Sequence, residues 1–122
     1  MPVLIIEDEE SLADFFRAAL ASRGIECRCV STSEAAHAAI AAQRPSLILT
    51  DMNLPGESGL EFVQHLKSDS HLAEIPVVAI TADDLHWNRQ ALLGAGCVDF
   101  LVKPVLLKHL IQVVQSYVKA SP

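Results

Sequence analysis

No apolar stretch in this 122-residue chain approaches the length of a membrane span. The first residues lack the basic start of a signal peptide, so a cytoplasmic chain with no membrane role is expected. Basic residues are scarce: nine lysines and arginines stand against fifteen aspartates and glutamates, for a net charge of −6. That deficit argues against direct nucleic-acid binding, where affinity comes largely from neutralising phosphates. Neither G-x-x-x-x-G-K nor G-x-G-x-x-G occurs, so Gly56 and Gly59 read as turn glycines and not as a phosphate cradle. Cys27, Cys29 and Cys97 form no C-x-x-C pair, which fits reduced, buried structural thiols. His37, His65, His71, His86 and His109 lack the i,i+3 or i,i+4 pairing of a zinc site and read as solvated helix residues.

What the chain does have is apolar runs in strict alternation with helical patterns. Hydrophobic residues make up 51% of it, enough for one packed domain over residues 1–122. Val3-Leu4-Ile5-Ile6, Leu47-Ile48-Leu49-Thr50 and Val98 to Val102 read as strands buried on both faces, with Val77-Val78-Ala79-Ile80 a further strand ending at Thr81. Residues 25–30 alternate apolar with charged, the pattern of a half-exposed edge strand, and Val98 to Val102 forms a fifth strand. Between them, Leu12, Phe15, Phe16, Ala19 and Leu20 mark a core-facing helix that Gly24 closes. Ser33 can cap an alanine-rich second helix with Ala36, Ala39 and Ile40 inward. Ser58 and Glu61 have capping-box spacing for a third helix, with Phe62, Val63 and Leu66 inward. A fourth, from about Asp84 to Ala95, has a thin stripe of Leu85, Leu92 and Leu93, with Trp87 a candidate partner contact or core cover. A fifth carries Leu107, Leu110, Ile111, Val114 and Val118. The expected fold class is α/β: a (βα)5 doubly wound, five-stranded parallel sheet in the flavodoxin-like order 2-1-3-4-5, with helices on both faces.

In such a sheet the ligand crevice lies beyond the carboxyl ends of the strands, here between the first and third. Glu7 and Asp8 follow the first strand, Asp51 the third, Thr81 the fourth, and Lys103 the fifth. At an effective dielectric near 20, two carboxylates about 4 Å apart repel by roughly 4 kcal/mol. The cluster therefore calls for cations, and a divalent metal plus the Lys103 ammonium suffice. Mg²⁺ suits the donors: Asp8, Asp51 and the backbone carbonyl of Asn53 as ligands, with Glu7 acting through water. An aspartate carboxylate is also a competent nucleophile toward phosphorus. Phosphoryl transfer needs neutralised oxygens more than acid–base groups, and Mg²⁺, Lys103 and the Thr81 hydroxyl can supply that neutralisation.

Glu7-Asp8, Asp51-x-x-x-Pro55-Gly56, Thr81-Ala82 and Lys103-Pro104 together resemble a bacterial two-component response-regulator receiver domain of the chemotaxis-regulator kind. The resemblance spans essentially the whole chain. It implies that Asp51 is the phosphoacceptor, that Glu7 and Asp8 bind Mg²⁺, and that Thr81 and Lys103 grip the phosphoryl group. It further implies a switch pair, Thr81 and Phe100, and a cis Lys103-Pro104 bond. The implied role is a signalling switch and not a conventional enzyme, with intrinsic Mg²⁺-dependent autophosphorylation and autodephosphorylation. The implied donor is a histidine kinase or a histidine phosphotransfer protein, and the recipient is a downstream effector or an attached output domain.

Two other functions compete. One is a phosphorylation-independent interaction module. The other is a Mg²⁺-dependent aspartyl-phosphate phosphatase of the haloacid-dehalogenase type, which would place D-x-D after strand one; here the candidate nucleophile follows strand three and reads Asp51-Met52-Asn53. The predicted last helix carries no arginine, which favours a single-domain regulator or the receiver of a hybrid kinase over a dimerising transcription factor.

Overall fold

The computed structural model describes residues 2–54, 56–82 and 89–118. Its strands are β1 (Val3–Ile6), β2 (Cys27–Val30), β3 (Leu47–Asp51), β4 (Val77–Thr81) and β5 (Asp99–Val102). They pair in parallel in the order β2-β1-β3-β4-β5. The helices are α1 (Glu10–Ala21), α2 (Ser33–Ala42), α3 (Gly59–Ser68), α4 (Arg89–Ala95) and α5 (Leu107–Tyr117). The predicted start of the fourth helix, with Leu85, His86 and Trp87, lies outside the described residues.

Sequence pattern and sheet position agree for four strands, but β5, expected to be buried on both faces, lies at an edge of the sheet. Every residue of β1, β3 and β4 is buried, as continuous apolar runs require when helices cover both faces. The edge strands β2 and β5 are only partly buried. Because successive side chains leave opposite faces of a strand, the central strands feed two cores. Leu4, Ile6, Ile48, Val77 and Ala79 pack with Ala36, Ile40, Phe62, Leu66 and Leu92 from α2, α3 and α4. Val3, Ile5, Leu49, Val78 and Ile80 pack with Phe16, Leu20, Leu110 and Val114 from α1 and α5.

Several local expectations are revised. Thr32, not Ser33, caps α2, its hydroxyl accepting from the Ala35 N–H at 3.1 Å. Ser33 is the first helical residue and is buried. Leu93 and Leu107, expected inward, are 40% and 50% exposed. Cys97 is buried, but Cys27 and Cys29 are half-buried on the edge strand. His71 sits in a turn rather than a helix. The Ser58–Glu61 capping box forms as expected.

Candidate functional site

Strand register sets the site. Ile6 pairs with Thr50, Asp51 with Ile80, and Thr81 with Val102. The residues that end or follow these strands therefore stand side by side at one rim of the sheet. The backbone continues the alignment past the strand ends, with the Met52 N–H donating to Ile80 O at 2.9 Å and the Lys103 N–H to Thr81 O at 2.8 Å. The Lys103-Pro104 peptide bond is cis.

Glu7, Asp8, Asp51 and Lys103 meet there, as the sequence implies. The carboxylates of Glu7, Asp8 and Asp51 each bring an oxygen within 4.8 Å of the others. Asp51 and Glu7 are buried, at 2% and 3% exposure, while Asp8 stands at the solvent side. Lys103 Nζ donates to Asp51 Oδ2 at 2.9 Å and lies 3.4 Å from Glu7 Oε1. The other Asp51 oxygen, Oδ1, accepts the Asn53 N–H at 2.9 Å. Both lone-pair faces of that carboxylate are thus oriented by donors. Thr81 is fully buried at the end of β4, and Phe100 is half-buried against the α2–α3–α4 core.

The electrostatics show how much positive charge the cluster wants. Burial pushes the Glu7 carboxyl up to about 7, reinforced by the charge and hydrogen bond of Asp51; the Glu9 N–H and Lys103 only partly offset this. Burial would lower Lys103, but its hydrogen bond and attraction to Asp51, with help from Glu7, raise it instead. Near neutrality, then, a proton on Glu7 and the Lys103 ammonium share the task of neutralising the site.

A metal fits the same place. Glu7 Oε1 is buried and, though ion-paired with Lys103 at 3.4 Å, accepts no hydrogen bond, which is costly for a buried oxygen. The donors in reach are hard oxygens, the preference of Mg²⁺. The acidic cluster is one that could hold such an ion.

One contributor escaped sequence reasoning. Gly59 is not a turn glycine: it is the first residue of α3, and its N–H donates to Met52 O. A Cβ there would lie 2.6 Å from both Asp51 O and Met52 Cα, backbone atoms that cannot swing aside. Glycine lets α3 close against the backbone that presents Asp51. Gly56, by contrast, is a turn residue, with φ of +75°.

The chain's relatives have this architecture. Residues 3–115 match the family model of the response regulator receiver domain. The chain is 35% identical over 109 residues to the phosphate regulon transcriptional regulatory protein PhoB of Pseudomonas aeruginosa, covering 89% of this chain and 48% of that protein. It thus spans about half the length of that relative. The polar-differentiation response regulator DivK of Brucella anthropi is 34% identical over 115 residues, 94% of each chain. Among solved structures, the receiver domain of the Pseudomonas aeruginosa sensor histidine kinase PA1611 superposes with a TM-score of 0.85 at 28% identity, over 95% of each chain. That structure carries a magnesium ion coordinated in its active-site cleft. With a family model matched over nearly its full length and the acidic, lysine-bridged rim in place, the chain belongs to the response regulator receiver domain family.

Proposed function

We propose that residues 1–122 act as one receiver domain, a switch in which Asp51 accepts a phosphoryl group from phosphohistidine. The donor is a histidine kinase or a histidine phosphotransfer protein. The observation that carries this reading is the buried Asp51 carboxylate, held by Asn53 N–H on one oxygen and Lys103 on the other. A carboxylate oxygen attacks phosphorus in line, the P–N bond breaks, and its electron pair leaves with the donor imidazole. Lys103 stays within reach to balance charge on the phosphoryl oxygens. When bound, Mg²⁺ neutralises those oxygens further. Asp8, Asp51 and the Asn53 backbone carbonyl would hold it, with Glu7 acting through water.

The test is labelling of the intact chain by acetyl phosphate. We expect Mg²⁺-dependent incorporation that survives acid, is released by hydroxylamine, and disappears with a chelator. Label that persists without divalent metal, or resists hydroxylamine, overturns the acyl-phosphate assignment. Absence of label from any donor favours the phosphorylation-independent module.

The geometry also supports a route from the site to an output surface. Ala79 pairs with Phe100, and both belong to the α2–α3–α4 side of the sheet. Thr81 lies two residues beyond Ala79, hence on the same face, diagonal to Phe100 across the β4–β5 pair. Drawing Thr81 toward a phosphoryl oxygen opens space on that face, and Phe100 is placed to enter it. Phe100 lines one surface depression with Val102 and Leu106, which are 39% and 68% exposed, an apolar surface for an effector or attached output domain. A ligand shifts such an equilibrium only through differential affinity. Two charge-assisted hydrogen bonds, roughly 1.5–3 kcal/mol each, suffice to invert a modest bias. Mg²⁺ with beryllofluoride, an acyl-phosphate mimic, should move backbone amide signals over residues 89–106 more than those of α1. Thr81→Ala should retain phosphorylation yet lose most of that response. A full wild-type pattern in the variant rules out the hydroxyl as relay.

A further inference from the structure

A second cluster of ligand-type side chains lies outside the acidic cleft, on three segments that the sequence keeps apart. His37 belongs to α2, His65 to α3, and Glu57 to the loop between β3 and α3. His37 Nε2 lies 3.1 Å from Glu57 Oε1, and His65 Nδ1 pairs with the other carboxylate oxygen, Oε2. One donor atom from each residue falls within 4.8 Å of the other two. Glu57 is mostly enclosed at 19% side-chain exposure, while the imidazoles are open to solvent at 41% and 62%.

The surroundings hold these groups in place. The His37 ring rests on Phe62, a fully buried core residue, with centroids 5.0 Å apart. The Ser33 hydroxyl is buried and favours the charged form of Glu57. Burial would raise the Glu57 carboxyl, but Ser33, His37 and His65 outweigh it and hold the group below its usual range. Glu57 is therefore an anion at neutral pH.

We propose that His37, Glu57 and His65 form a binding site for a zinc-class divalent cation, distinct from the Glu7–Asp8–Asp51 cleft. Two imidazoles and a carboxylate are a three-ligand zinc set, leaving a fourth position for water. Mg²⁺ prefers oxygen alone, so the two sites sort the two metals by donor type. A tetrahedral ion with bonds of about 2.0–2.1 Å needs donors roughly 3.3–3.5 Å apart. The His37–Glu57 pair is already near that spacing at 3.1 Å, and the exposed His65 ring can adjust. An ion here ties α2 to α3 through the loop that leaves Asp51, so its occupancy braces the segment carrying the acceptor.

The test uses the untagged full chain with saturating Mg²⁺, which blocks the all-oxygen cleft, titrated with Zn²⁺. We expect one equivalent to bind and to shift the imidazole nitrogen resonances of His37 and His65 while those of His71 and His109 stay put. Co²⁺ in the same site should give visible absorption typical of four- or five-coordinate nitrogen–oxygen ligation. His37→Gln, His65→Gln and Glu57→Gln should each weaken Zn²⁺ at least about tenfold. Their amide fingerprints should remain native, since none of the three belongs to the hydrophobic core. Zn²⁺ affinity unchanged in the His37→Gln/His65→Gln double variant overturns the proposal. So does a stoichiometric titration that leaves both imidazoles unmoved, which would mean the three groups share only protons.

Discussion

Asp51→Asn is expected to reduce hydroxylamine-labile phosphorylation of this chain to background, whether the donor is acetyl phosphate or a phosphohistidine. An amide oxygen is a far weaker nucleophile toward phosphorus than a carboxylate, and the side chain is nearly isosteric. The substitution therefore removes chemistry without removing volume from a site that is 2% exposed. Loss of activity through unfolding predicts the opposite behaviour in a melt. Burial raises Glu7 and the charge of Asp51 adds to that rise, so deleting the Asp51 charge relieves roughly as much as it costs. Lys103 keeps Glu7 Oε1 as a partner at 3.4 Å. We expect the melting temperature in chelator to be equal to or above that of the wild type. Full labelling of the variant would place the acceptor elsewhere.

The sheet and its acidic rim were legible in the sequence because both are carried by local patterns. The apolar runs at 3–6 and 47–50 read as strands buried on both faces and are central, whereas 98–102, read the same way, lies at the edge; a parallel sheet collects whatever follows its strand ends. Glu7, Asp8, Asp51 and Lys103 meet for that topological reason. What the pattern hides is which apolar residues a surface leaves uncovered. Leu93 and Leu107 fit a helical stripe, yet stand in water because α4 and α5 flank the edge strand β5, where there is less sheet to cover. The Ser33–Thr32 substitution at the α2 cap has a similar origin. Either hydroxyl satisfies the local rule, and it is the Thr32 hydroxyl that accepts the Ala35 N–H, leaving Ser33 buried in the first turn. The His37–Glu57–His65 cluster shows the limit most plainly. Spacing rules look for pairs on one helix, whereas these residues come from two helices and a loop. Gly59 was misread for the same reason, since its neighbour, the Asp51–Met52 backbone, is brought in by the fold.

Lys103→Met should move two properties of the site in opposite directions. Methionine keeps most of the aliphatic stem, so the change isolates the ammonium. Without metal, that ammonium is the cation held against Asp51 Oδ2 at 2.9 Å and Glu7 Oε1 at 3.4 Å. Removing one partner of a buried ion pair costs about 3–5 kcal/mol. Lys103 is 23% exposed and Glu7 can take up a proton near neutrality, so the expected loss is nearer 1–2 kcal/mol. Mg²⁺ gains from the same substitution, because a positive charge no longer competes for the carboxylates it needs. At an effective dielectric near 20, losing a unit charge at these separations is worth well over 1.4 kcal/mol, so Mg²⁺ affinity should rise at least about tenfold. Melting in chelator should therefore fall below wild type, while saturating Mg²⁺ should restore more stability to the variant than to the wild type. The beryllofluoride response over residues 89–106 should weaken in parallel, since one of the two donors proposed to read the phosphoryl group is gone. Weaker Mg²⁺ binding in Lys103→Met would mean that the lysine organises the carboxylates more than it repels the metal, and the charge-sharing account of this cleft would fail.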